Sequence, residues 1–469
     1  MVSAQIPNTS LVDSALPQLL QPSGLVRQTS RVIGPEVMRR RAVVVDAELL
    51  MTLDPAGDNQ IVFNLFPDTT FTGRVENKTF PCKLIGFPDA FSLGGSIQGI
   101  AGSSFQLLYL QGVLAADIRV PGKGEYQIRP TAPGPPGTHE VWEIDSSRFP
   151  SCAVFRPHQI LPLPEDKALR QSTSSLADDD GSIIDVMILY TTDARIAVGG
   201  EINAILESAF AVINANSVFV NSQINTQLRF VLIDEIPYAE SGSAGTDLSR
   251  LTSTGDGFLD NVHIIRNAVV ADIVSLFVSS LDACGTSWLM SDVSPAFQSF
   301  SFNVCAINCA AVNLTYAHEV GHNLGCQHDR ESSGGVQGAF PYSYGYLEPS
   351  GSFRTILGSP NGSPRVASFS NPLVQVGGVP TGVPEGHVNS ADNATTINNT
   401  AFTVANFRPF DCPLPLPDSD CNVNCIEDAE DIAVGTSLDC NANSIPDECE
   451  SDCNGNGIAD TCDLTDGRS

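Results

Sequence analysis

His318-Glu-Val-Gly-His-Asn-Leu-Gly-Cys-Gln-His-Asp329 is a stretch whose spacing defines both a local fold and a chemistry. On a helix, His318 and His322 lie four residues apart on one face, so both imidazoles reach one metal ion while Leu314, Ala317, Gly321 and Leu324 pack towards the core. Gly325 takes the left-handed conformation that stops a helix, and the chain turns so that His328 supplies a third nitrogen from beyond the helix end. Three neutral imidazoles leave a fourth position open for water, the arrangement of a catalytic zinc rather than a structural one. Glu319 is within reach of that water and is the candidate general base. The other four histidines, His139, His158, His263 and His387, lack such companions and read as surface or satisfied core residues.

Outward from this stretch, residues 183–411 alternate apolar strands (183–190, 227–233, 271–278) with helical periodicity (200–217, 257–267), the pattern of an α/β layer domain. Residues 42–163 alternate short apolar runs, such as 61–66, 105–114 and 126–128, with Gly and Pro turn signals, and read as a β-rich domain. Residues 1–41 form an N-terminal segment. Between the two domains, 164–182 is polar with nothing to bury, an exposed linker open to proteolytic processing. No run approaches the roughly 20 apolar residues of a membrane span.

On this motif, with its Asn-Leu-Gly sequence and Asp329 after the third His, the chain resembles the metzincin metallopeptidases in their reprolysin (adamalysin) branch. The resemblance extends to Ile184–Tyr190, Ser343-Tyr-Gly-Tyr346, Phe353-Arg-Thr-Ile-Leu357 and Phe369-Ser-Asn-Pro372, and more loosely to bacterial propeptides in the β-rich region. It implies a catalytic domain with a mixed sheet and an active-site helix, a zinc endopeptidase acting on proteins or peptides, and a latent precursor. One departure is that Leu357 stands where the family places a Met beneath the zinc. That exchange nearly conserves volume and apolarity and costs under about 1.5 kcal/mol. No Tyr follows Leu357 closely enough to act as a fifth ligand, as the reprolysin branch implies.

The whole chain carries 53 acidic and 24 basic residues for a formal charge of -29, which disfavours nucleic acid and anionic lipid partners. Thirteen cysteines point to an oxidising compartment, so the chain is expected to be extracellular or at a cell surface. No secretion signal is legible at its start, because residues 1–21 contain no Lys or Arg and are broken by Pro7, Asp13 and Pro17. Cys284, Cys305, Cys309 and Cys326 allow two disulfides in any of three pairings. Only Cys82 and Cys152 lie upstream of the linker. Either Cys152 is a latency thiol that blocks the zinc, or the two form a disulfide.

Residues 412–469 are acidic and Cys-rich, and three segments share one frame of oxygen side chains. The first offers Asp420, Asn422, Asn424, Asp428 and Asp431; the second Asp439, Asn441, Asn443, Asp447 and Glu450; the third Asp452, Asn454, Asn456, Asp460 and Asp463. Oxygens at positions 1, 3, 5, 9 and 12 wrap a hard cation, as in a calcium loop. Only the third copy has Gly (Gly457) at the turn position. The frame resembles thrombospondin type 3 and dockerin-like repeats, and implies structural calcium and a surface or matrix partner. Set against the enzyme is a second class of function, an inert metzincin-like adhesion protein, for which Leu357 and the tail speak; the intact His318, Glu319, His322 and His328 favour the enzyme.

Overall fold

A computed structural model describes residues 18–23, 34–57, 59–79, 87, 90–131, 137–150, 152–155, 180–360 and 362–408, with 428–429, 432, 439–440 and 443–446 in the tail. Cys82, His158, most of the linker and most of the tail ligand candidates lie outside the described residues.

Nine strands, from Leu20–Pro22 to Thr138–Ile144, form one antiparallel sheet. It reaches upstream of residue 42, because Leu20–Pro22 pairs with the end of Val37–Val45, which in turn pairs with Thr138–Ile144. Strands from within residues 1–41 thus belong to this sheet. The run Arg39-Arg40-Arg41 hides this strand in the sequence, whereas in the fold Arg39 is neutralised by Asp68 and Glu143. The run 105–114 is likewise two strands, Ser104–Leu110 and Val113–Val120, joined through Gln111 and Gly112 with φ of 45° and 85°. Positive φ at both central residues is what a two-residue hairpin demands.

The second sheet has six strands in the order Ala153–Phe155, Gly285–Trp288, Phe302–Ala306, Ile273–Val278, Ile183–Thr191, Gln227–Ile236. Its four central and far strands are parallel, and Gly285–Trp288 runs antiparallel to Phe302–Ala306. The buried runs Ile183–Thr191 and Ile273–Val278 are apolar on both faces because helices cover both sides. Helix Glu201–Asn221 is long and apolar enough to cross a bilayer, contrary to the expectation of no such run, but Phe210, Val218 and Phe219 are buried in the main core. The same core takes in Leu108, Leu110 and Ala115 of the first sheet. The resulting architecture is a mixed α/β structure built from two sheets with helices.

Polar contacts also join the two sheets. Arg129 Nε lies 3.3 Å from Glu207 Oε1 with both side chains fully buried. Arg119 and Gln127 donate to the Val312 carbonyl at 3.1 and 3.3 Å. Strand Ala153–Phe155, near the end of the 42–163 stretch, adds to the second sheet in parallel with Gly285–Trp288. The expectation of two disulfides among Cys284, Cys305, Cys309 and Cys326 is also corrected, since of these four Cys284 bonds to Cys309 while Cys305 and Cys326 are buried thiols. Cys305 is held in strand Phe302–Ala306, whereas the Cys326 thiol, beyond the active-site helix, donates to the Asn393 carbonyl at 3.5 Å.

Candidate active site

Helix Thr315–Asn323 carries His318, Glu319 and His322, all buried. Gly325 ends it at φ 89°. Its N–H donates to His322 O at 3.0 Å and that of Cys326 to Gly321 O at 2.9 Å, which is the bond pattern of a Schellman stop. A side chain at Gly325 would also strike Ala339 at 2.7 Å. The turn delivers His328 to the face of the helix that holds the other two imidazoles.

The three Nε2 atoms converge, at 3.0 Å for His318 and His328 and at 3.2 Å for His322 with each of the others. His318 Nδ1 is bound to Ile356 O at 2.9 Å and His322 Nδ1 to Cys326 O at 2.7 Å. A carbonyl only accepts, so both Nδ1 atoms carry the proton and both Nε2 atoms present lone pairs. Burial, reinforced by the neighbouring rings, holds His318 and His322 well below the usual imidazole range, and burial holds His328 at about 4. Facing lone pairs at this distance repel unless a cation lies between them. A tetrahedral ion about 2.0–2.1 Å from each nitrogen sets the nitrogens about 3.3 Å apart, so the cluster fits zinc.

Glu319 lies beside this cluster. Its Oε2 accepts from Ser287 Oγ at 2.8 Å, while its buried Oε1 has no hydrogen-bond partner among the described residues. Burial pushes its carboxyl up to about 8. Gly285 leaves room for it, because a Cβ there would lie 2.7 Å from Glu319 Oε1 and 2.7 Å from Thr315 Cγ2. Below the helix, Leu357 is fully buried and lies 3.4 Å from where a Gly321 Cβ would sit, with Phe369 closer still at 2.8 Å. Leu357 thus forms the apolar floor. Asp329, although burial opposes its charge, is held below the usual range by the N–H groups of Ser359 and Ser332 at 2.9 and 3.0 Å, tying the floor turn to the His328 loop.

Cys152 also reaches the site. Its sulfur, a carboxylate oxygen of Glu319 and a ring nitrogen of His318 lie within 4.8 Å of one another. Burial, with the adjacent Glu319 carboxylate, raises its thiol pKa. Among the unassigned histidines, His139 is a satisfied core residue, taking the Leu114 N–H at 2.8 Å, His263 binds Ser253 O at 2.9 Å, and His387 is exposed. Of the tail candidates, Asp428, Asp439 and Asn443 are described, far along the chain from the imidazole cluster, while Asp420, Asn422, Asn424, Asp431, Asn441, Asp447, Glu450, Asp452, Asn454, Asn456, Asp460 and Asp463 lie outside the described residues. Ser287 and Gly285 had no signal in the sequence, since they reach Glu319 from a strand more than thirty residues away.

A helix that aligns two imidazoles, a turn that adds a third and a buried carboxylate beside them define a metallopeptidase centre. The chain belongs to the reprolysin-like metallopeptidases of family M12B, whose pattern matches residues 182–383, and it is a hydrolase. It is 32% identical over 315 residues to the peptidyl-Asp metalloendopeptidase of Stenotrophomonas maltophilia strain R551-3, covering 66% of this chain and 71% of that protein. It is 30% identical over 328 residues to the peptidyl-Asp metalloendopeptidase of Xanthomonas campestris pv. campestris, covering 68% and 74%. A Pseudomonas aeruginosa protein of the same name is 28% identical over 271 residues, covering 52% of this chain and 43% of that protein. The family implies zinc and a protein or peptide substrate.

Proposed function

We propose that this chain is a secreted zinc endopeptidase, made as a latent precursor, that cuts beside acidic residues. The observation that carries the reading is the convergence of the three Nε2 atoms at 3.0–3.2 Å with the Glu319 carboxylate buried alongside. His318, His322 and His328 hold the ion. When bound, zinc polarises the scissile carbonyl and lowers the pKa of water to about 7. Glu319 accepts a proton from the attacking water and passes it to the leaving amine, in one hydrolytic step with no acyl-enzyme. Ser287 orients Glu319 through Oε2, leaving Oε1 to take the proton. Preference for an acidic residue is extended from the relatives' name, peptidyl-Asp metalloendopeptidase. The test is metal analysis together with a peptide-library digest by the processed protein. One zinc per chain with cleavage beside Asp is expected; processed protein that binds zinc and cuts no peptide would overturn the reading.

In the same reading, residues 42–163, together with the upstream strands, are a prodomain, residues 164–182 the processing linker and 183–411 the catalytic domain. The prodomain holds the enzyme latent in two ways. Strand Ala153–Phe155 occupies the outer edge of Gly285–Trp288, the edge on which an extended peptide can add as a strand. The Cys152 thiol stands next to His318 and Glu319, where sulfur can take the open zinc position. Cys152→Ser in the full-length protein is expected to raise basal proteolysis without linker cleavage. A variant as silent as the parent, with the cleaved form active, means that occlusion alone maintains latency.

The tail, residues 420–463, binds calcium in this reading. Support comes from the second copy, where Asp439 accepts from the N–H groups of Asn443 and Ser444 at 2.9 and 2.8 Å and Ser444 takes φ 67° at the position where the third copy has Gly457. Loops this acidic repel themselves until a cation neutralises them. Calorimetry on the disulfide-intact tail is expected to show binding below millimolar calcium; no heat at millimolar calcium leaves a solvated acidic tail.

A further inference from the structure

Beside the imidazole cluster lies a cavity of about 370 Å³, lined by His318, His328, Arg354 and Arg365 on the catalytic side and by Cys152 and Phe149 on the other. Its lining contains two cations and no carboxylate. Arg354 and Arg365 pair backbone to backbone and are 1% and 5% exposed. Their hydrogen bonds among the described residues go to carbonyls, from Arg354 to Ser363 O and Gly358 O at 3.1 and 3.0 Å and from Arg365 to Asn313 O at 2.5 Å. The buried Nε of Arg365 has no partner among the described residues.

Two adjacent buried guanidiniums are costly, because each loses hydration and each repels the other. Burial, the larger cause, and neighbouring arginines lower the pKa of both. Arg354 has a structural use, since its bonds to Ser363 and Gly358 pin the turn that follows Leu357. Arg365 gives one donor to Asn313 and keeps Nε idle. On its other side Arg365 lines a second cavity that it shares with Glu125 of the first sheet, but that carboxylate already binds Arg119 at 3.0 Å and Ser146 at 2.9 Å. Arg365 therefore brings to the cavity that also reaches the metal-binding imidazoles a buried guanidinium with a donor left unused, and a carboxylate is the group that such a planar, charged fork binds in bidentate fashion.

We propose that Arg365 is the specificity-determining residue of this peptidase, binding the side-chain carboxylate of the acidic substrate residue next to the scissile bond. This rests on the endopeptidase reading above. Arg354 fixes the turn and adds to the positive field, and the apposed prodomain keeps the subsite closed in the precursor. A site built around a buried charged donor discriminates strongly against a neutral isostere, because Asn leaves the guanidinium without its anion.

The test pairs turnover with binding. Processed wild-type enzyme and Arg365→Met are assayed on peptides that differ only as Asp or Asn on either side of the cleaved bond, and the same peptides are titrated against zinc-loaded Glu319→Gln and Glu319→Gln/Arg365→Met. The wild type is expected to favour Asp over Asn by about a hundredfold or more in kcat/KM, falling below about tenfold in Arg365→Met, with the Asn peptide cut at a rate within about tenfold of wild type. Glu319→Gln is expected to bind the Asp peptide at least about thirtyfold more tightly than the Asn peptide, and the double variant to lose that difference. Arg365→Lys, which keeps the charge and loses the fork, is expected to retain part of the preference. Unchanged Asp preference in Arg365→Met overturns the proposal. Binding that discriminates in the absence of any turnover by the wild type sustains the subsite while removing the peptidase reading, so the two failures are told apart.

Discussion

Glu319→Ala is expected to retain one zinc per chain and to lose roughly a hundredfold to ten-thousandfold in kcat, with KM little changed. The metal is retained because all three ligand nitrogens come from His318, His322 and His328, and His318 and His322 are oriented by the carbonyls of Ile356 and Cys326, not by a hydrogen bond to Glu319. Catalysis is lost because no other described acid or base is placed at the cluster except Cys152, which the proposed processing removes. The variant leaves Ser287 Oγ without its acceptor, at a cost of about 1 kcal/mol in stability, far less than the catalytic loss. Metal content, thermal midpoint and turnover are measured on the same processed sample. Parent-level turnover in a zinc-loaded variant would falsify the assignment of Glu319 as base.

The parts of this site that were legible in the sequence are those with local spacing. Two histidines four apart, a helix-stopping Gly and a third histidine all lie within a dozen residues of His318, and the structure brings them together as their offsets imply. Strands Ile183–Thr191, Gln227–Ile236 and Ile273–Val278 and helix Glu201–Asn221 were legible for a similar reason, as apolar runs and helical periodicity, whereas the helix expected over 257–267 begins only at Val262. Sheet order was not legible. Ser287 and Gly285 meet Glu319 only because Gly285–Trp288 lies on the outer side of Phe302–Ala306, and the Ala153–Phe155 segment reaches the site only by adding beyond it. The choice of Cys309 as the partner of Cys284 depended on the same arrangement, as spacing alone permits three pairings of the four cysteines around the site. The strand Val37–Val45 was obscured by its arginines; the partners of Arg39, Asp68 and Glu143, come from elsewhere in the sheet. Arg354 and Arg365 carry no signal in the sequence and gain meaning from burial beside the imidazoles.

The second large effect is expected at the junction of the two sheets. Arg129 and Glu207 are fully buried 3.3 Å apart, and the Arg129 guanidinium also lies 5.2 Å from the Phe210 ring centroid. Truncating one member leaves the other as a buried, uncompensated charge, at a cost of about 3–5 kcal/mol. Because Arg129 belongs to the first sheet and Glu207 to the helix of the second, in the latent-precursor reading proposed above that cost falls on the association of prodomain and catalytic domain, and it corresponds to a weakening of roughly a hundredfold to a few thousandfold. Arg129→Ala and Glu207→Ala are therefore each expected to release the prodomain after linker cleavage under conditions where the parent complex co-elutes, and to shorten the lag before full proteolytic activity. Arg129→Met combined with Glu207→Leu replaces the pair by apolar groups of similar size, and is expected to restore retention to within about tenfold of the parent. The separated catalytic domain should unfold at nearly the same temperature with and without the Glu207→Ala substitution, since Glu207 faces solvent once the first sheet has left. Single variants that hold the prodomain as tightly as the parent would mean that the apolar contacts of Leu108, Leu110 and Ala115 with the core dominate the junction, and that the ion pair serves to orient the two sheets without holding them together.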